Sequence, residues 1–109
     1  MESITNHSTL NMEFINSPKH KMHICLEQTD IGELILGSDV PRYEIIWQKH
    51  GETNPRSSTM DILNLVAPDP DVPMPIPENV YDAVMEIYGN KLKVIFNNYC
   101  EEKEYKNDN

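Results

Sequence analysis

Five of the ten residues from 68 to 77 are proline (Pro68, Pro70, Pro73, Pro75 and Pro77), and no other stretch constrains the chain so tightly. Each ring fixes its own φ and removes a backbone donor. Each also pushes the preceding residue toward extended geometry. Neither a helix interior nor a central strand can pass through such a segment, so 68–77 is expected to be a stiff, extended connector. Met74 and Ile76 are expected to pack on the core while Asp69 and Asp71 stay wet. The connector divides the chain into two unlike parts.

The part before it alternates as half-buried strands do. Met12-Glu13-Phe14-Ile15 is a short candidate strand, broken by Asn16-Ser17-Pro18. Met22-His23-Ile24-Cys25-Leu26 follows, with Met22, Ile24 and Leu26 on one face and His23 and Cys25 on the other. Gln28-Thr29-Asp30 reads as a turn and Gly32 to Leu36 as a third strand. Tyr43 to Gln48 is a fourth, with Tyr43, Ile45 and Trp47 sharing a face. Short strands at this spacing suggest an antiparallel meander with one covered face. Lys49 to Ser58 is rich in structure breakers and reads as a loop. Residues 59–67 are ambiguous. Ser58 with Asp61 resembles a capping box, which favours a short helix, while the run Ile62, Leu63, Leu65 and Val66 favours a buried strand, the preferred reading.

After the connector the period changes. Pro77 suits the first position of a helix, with Glu78 beside it at the positive end of the dipole. Val80, Val84, Ile87 and Tyr88 form one apolar stripe, widened by Tyr81 and Met85. Gly89-Asn90 is expected to interrupt the helix, and Leu92, Val94 and Phe96 then read as a strand. A second helix through Leu92, Ile95 and Tyr99 is the alternative. The fold class is therefore α+β: an antiparallel sheet of four to five short strands packed against a C-terminal helix. Residues 1–11 form a polar N-terminal arm, 12–100 a single globular domain, and 101–109 a charged C-terminal tail. The expected core is Phe14, Ile24, Leu26, Leu34, Leu36, Ile45, Trp47, Leu65, Val80, Val84, Ile87 and Leu92.

The chain is short and acidic, 109 residues with a net charge of −9. That charge opposes nonspecific nucleic-acid binding, which needs clustered Lys and Arg. It favours fast encounter with a basic surface. No apolar run approaches the roughly 18 residues of a membrane span. Met1 to His20 contains no apolar core of a signal peptide. A cytoplasmic setting follows as the expectation, with Cys25 and Cys100 as free thiols.

Catalytic motifs are hard to find. The four glycines, Gly32, Gly37, Gly51 and Gly89, make no phosphate-binding pattern. A nucleophilic cysteine needs a base and a lowered pKa; Cys25 sits in mid-strand, and Cys100 precedes Glu101, Glu102 and Glu104. No enzyme activity and no cofactor are expected. His20, His23 and Cys25 are weak candidates for a metal site, since they offer two imidazoles and a thiol within six residues but lack ordinary zinc spacing. They carry the alternative reading, a small-ligand or metal-binding domain.

Charge placement gives the leading functional expectation. From Ser57 to Asn90 there are six acidic residues (Asp61, Asp69, Asp71, Glu78, Asp82 and Glu86) and no Lys or Arg. Glu78, Asp82 and Glu86 recur at four-residue spacing, where like charges repel by a few tenths of a kcal/mol. Such a ridge costs local stability and suits a basic partner. The expected function is a noncatalytic protein-binding module of the inhibitor, immunity, antitoxin or adaptor kind. Asp69, Asp71, Glu78, Asp82 and Glu86 would steer the partner, and Met74, Tyr81 and Met85 would supply an apolar centre.

Overall fold

In the computed structural model, residues 13–29 and 40–107 are described. The elements run β1 (Ile15–Ser17), β2 (Met22–Thr29), β3 (Arg42–Lys49), β4 (Arg56–Asp61), α1 (Ile62–Val66) and α2 (Glu78–Asn107). The four strands form one antiparallel sheet in sequence order, β1-β2-β3-β4. An α+β domain with a C-terminal helix on the sheet is thus what the chain builds. No helix among the described residues is long and apolar enough to cross a membrane.

Register explains which side chains are covered. Ile24 lies opposite Trp47, Leu26 opposite Ile45, and Tyr43 opposite Met60. Because side chains alternate along a strand, Met22, Ile24, Tyr43, Ile45, Trp47 and Met60 all fall on one face, and all are buried. Ile62 and Leu65 of α1, Ile76 of the connector, and Val80, Ala83, Val84 and Leu92 of α2 complete the cluster. Each fully buried aliphatic side chain contributes about 1.5–3 kcal/mol against chain entropy. Of the expected core, Phe14, Leu26 and Ile87 are only half-buried. Leu34 and Leu36, with the strand expected at 32–36, lie outside the described residues, as do Met12 and the expected arm at 1–11.

Turn chemistry sets the hairpins. Between β1 and β2 the His20 amide donates to the Ser17 carbonyl at 3.1 Å, with Pro18 second in the turn, where its fixed φ fits. Between β3 and β4 the Glu52 amide donates to the Lys49 carbonyl at 3.0 Å. There Gly51 has φ +93°, a conformation side chains disfavour. Several boundaries differ from expectation: Asn16 and Ser17, expected to break the first strand, lie within β1, and Lys49 ends β3 rather than opening the loop. Gln28 and Thr29 are not a turn but pair with Tyr43 and Arg42. Arg56 to Ser58 are not loop but the start of β4, whose polar side chains hid it.

The ambiguous stretch divides in the middle. Residues 59–61 finish β4, and 62–66 turn into α1. Ser58 is not its cap. Asp61 is, its Oδ1 accepting from the Asn64 amide at 2.8 Å. Pro68 follows the last turn and forbids its extension. The connector is not extended throughout: the Val72 amide donates to the Asp69 carbonyl at 3.0 Å and closes a turn over 69–72; beyond that, Ile76 is buried, Met74 half-buried, and Asp69 and Asp71 exposed.

The clearest correction concerns Gly89-Asn90, which does not end the helix. α2 is continuous for 30 residues, and the expected strand over 92–96 is helical. The expected tail begins as its last turns. A glycine that stops a helix usually takes a positive φ; Gly89 does not. Glycine costs a helix interior about 1 kcal/mol relative to alanine. Burial of Leu92 and Tyr99 beyond it outweighs that penalty. Pro77 sits one position earlier than expected, its carbonyl accepting from the amides of Val80 and Tyr81 at 3.1 and 3.0 Å.

Candidate functional site

The first half of α2 has two unlike sides. Val80, Ala83 and Val84 face inward and are almost wholly buried. Steps of four residues rotate by about 40°, so Glu78, Asp82 and Glu86 form one outward ridge, and all three are exposed. Asn79 and Asn90, also exposed, add no charge. Asp69 and Asp71 precede the ridge on the connector, where the Asp71 amide donates to Asp69 Oδ1 at 2.9 Å.

Neutralisation by the described residues is slight. Among the described residues the ion pairs are His20 Nδ1 with Glu86 Oε1 at 3.3 Å, and Arg56 with Glu52 at 3.9 Å. Arg42, Lys91 and Lys93 form none with the ridge. Asp69, Asp71, Glu78 and Asp82 therefore keep uncompensated charge facing solvent.

The His20 contact brings a serine, a histidine and a carboxylate together. Ser17 Oγ lies 3.0 Å from His20 Nδ1, the same nitrogen that faces Glu86. A catalytic relay uses opposite ring nitrogens, one to take the serine proton and one to hold the carboxylate. Both partners here share Nδ1, so the wiring is that of a pin between the β1–β2 turn and α2.

The remaining metal candidates diverge. The His23 ring leans on His50, with centroids 4.9 Å apart, and His50 Nε2 lies 3.0 Å from Asn16 Oδ1. Cys25 is buried on the sheet face away from the core, opposite Ile46. Burial pushes its thiol pKa up, the Glu27 and Glu44 carboxylates add to the rise, and only the Glu13 amide opposes them. A thiol held protonated is a poor nucleophile and a poor ligand. No three His, Cys, Asp or Glu side chains among the described residues are arranged to hold a metal ion.

No protein family, no curated protein and no solved structure matches this chain. Its chemistry has to be read from its own residues.

Met74, Tyr81 and Met85, expected as an apolar docking centre, are half-buried and pack against the core cluster. Tyr81 is further committed, its hydroxyl donating to the Leu65 carbonyl at 2.7 Å and tying α2 to α1. Burial, with the Asp82 carboxylate behind it, raises the Tyr81 pKa. The exposed apolar side chains nearby are different ones: Val72, 55% exposed between Asp71 and Pro73, and Leu63, 38% exposed on α1. The sequence held a signal for Leu63. A five-residue helix cannot bury Ile62, Leu63, Leu65 and Val66 on one side.

Proposed function

We propose that this chain is a noncatalytic binding module that docks a basic protein surface through the connector and the first half of α2. The observation that carries the reading is the outward ridge of Glu78, Asp82 and Glu86, which no Lys or Arg among the described residues pairs with and which only the His20 ring touches, at Glu86. A row of like charges on one helix face weakens the helix, so its return comes from outside the fold. Asp69 and Asp71 extend the same charge along the connector, and Val72 supplies an apolar contact among them. Carboxylates of this kind accelerate encounter and set salt dependence more than they set final affinity. A reducing cytoplasm is the proposed setting for the two free thiols.

The test replaces Glu78, Asp82 and Glu86 together by Lys. All three are exposed, so the variant should fold with an unchanged circular dichroism spectrum. Partners captured from the source cells by the wild-type chain should bind the variant at least about tenfold more weakly at low salt. Equal affinity with an equal salt slope in the two proteins would end the proposal.

A further inference from the structure

The second half of α2 covers the far ends of β2 and β3, and the fit there is incomplete. A cavity of about 170 Å³ is lined by Leu26, Gln28, Tyr43, Tyr88, Lys91, Leu92 and Ile95. Apolar cavities of about 150 Å³ hold a benzene ring, so this one accommodates a single ring or a short branched chain. Its floor is Leu26, Leu92 and Ile95 with the rings of Tyr43 and Tyr88. At its rim stand the exposed Gln28 and Lys91.

One wall residue is unfinished. Tyr43 is only 4% exposed, yet its hydroxyl has no hydrogen-bond partner. Leaving a buried hydroxyl unpaired costs about 1–3 kcal/mol, and large majorities of such groups are satisfied. Thr29 Oγ1 and Arg42 Nε are also buried without partners at this end of the sheet, but alternation puts them on the opposite face from Tyr43. Burial raises the Tyr43 pKa, so its hydroxyl keeps its proton and can donate. Among the described residues Lys91 forms no ion pair.

We propose that this cavity is a binding site for a small monocarboxylate with an apolar body of about one ring. The body fills the space between Leu26, Leu92 and Ile95, and the carboxylate takes donors from Tyr43 Oη, the Gln28 amide and the Lys91 ammonium. An anion is the fitting charge because every polar side chain of the described wall can donate, and among those described residues Lys91 carries the one formal charge. The site lies apart from the acidic ridge and does not depend on it.

Titration of the full chain with sodium benzoate, followed by amide NMR, tests the proposal, with benzyl alcohol as the neutral counterpart. Benzoate should shift the amides of Leu26, Tyr43, Tyr88 and Leu92 saturably. Lys91→Met, which keeps the apolar stem, should weaken binding about tenfold, the scale of one charge-assisted hydrogen bond. Lys93→Met, at an exposed lysine about half a turn round the helix from Lys91 and off the wall, should change nothing. Tyr43→Phe should raise the melting midpoint of the free protein by removing an unpaired hydroxyl, yet weaken benzoate several-fold. Absence of saturable shifts overturns the site. Equal binding of benzyl alcohol, or equal losses in Lys91→Met and Lys93→Met, overturns the carboxylate assignment.

Discussion

The two halves of α2 meet different surroundings. Before Gly89 the helix packs on α1 and the connector, buries Val80, Ala83 and Val84, and turns Glu78, Asp82 and Glu86 outward. Beyond Gly89 it buries Leu92 and Tyr99, lies beside Leu26 and Tyr43, and carries Lys91 and Lys93. One continuous helix thus presents an acidic, tightly packed half and a mixed-charge half over an open cavity. A helix face follows the surface it must cover; the remaining positions are free to carry charge. In the first half those positions all carry one sign or none.

The largest test of this contrast removes core atoms on each side of Gly89. Leu92→Ala should destabilise the protein by about 2–5 kcal/mol, because a buried leucine is lost and an existing cavity grows. Val84→Ala, in the better-filled half, deletes fewer methyl groups and should cost less in the same denaturant titration. A larger loss at Val84 would show that the first half, not the second, holds the sheet. The intermediate effect comes at the junction. A Cβ at Gly89 would meet Met85 Cε at 3.7 Å and Met85 Cβ at 3.9 Å, ordinary contact distances. Gly89→Ala should therefore stabilise by roughly 0.5–1 kcal/mol. A loss of stability at that site would break the helix into the two pieces that its sequence suggests.

A smaller effect depends on pH. Burial raises the pKa of Tyr43 beneath the second half, of Cys25 on the opposite face of the sheet, of Tyr88 at the junction, and of Tyr81 in the first half. For Cys25 the Glu27 carboxylate adds to burial, for Tyr81 Asp82 does, and for Tyr88 a contact with the Leu26 backbone partly opposes it. A raised value means that the folded state holds its proton more tightly than the unfolded chain. Stability is then fully present below the ordinary thiol and phenol values, about 8.5 and 10, and falls as pH climbs through the folded ones. Denaturation midpoints should be lower at pH 10.5 than at pH 7.5, conditions chosen about those values. An unchanged midpoint would mean that these groups are as wet in the folded protein as in the unfolded one.

Legibility in the sequence followed local physics. The alternation of Met22 to Leu26 and of Tyr43 to Trp47 gave strands on the correct faces, because period two has one structural meaning at that length. β4 was hidden because it is an edge strand whose first residues, Arg56, Ser57 and Ser58, need no burial. The second half of α2 reads either way in the sequence, because Leu92, Val94 and Phe96 alternate as a strand while Leu92, Ile95 and Tyr99 continue a helical stripe. Only packing separates them, leaving Val94 59% exposed and Leu92 buried. For the acidic ridge, four-residue spacing on a helix announced a shared face. Met74, Tyr81 and Met85 are half-buried against the core, a placement that spacing alone does not announce, because such residues are as useful to a core as to a partner.

The sequence by itself determined that neither helix nor strand passes through 68–77, the strand faces, the inward stripe of the first half of α2 and the sign of its outward charge. These follow from fixed backbone angles and from residue periodicity, which need no distant neighbour. Tertiary structure alone decided that α2 runs through Gly89, that Ser17, His20 and Glu86 meet, and that a cavity with an unpaired Tyr43 hydroxyl lies under Lys91. Each of those depends on groups far apart in the chain arriving at one place, where burial energy overrides a local preference of about 1 kcal/mol.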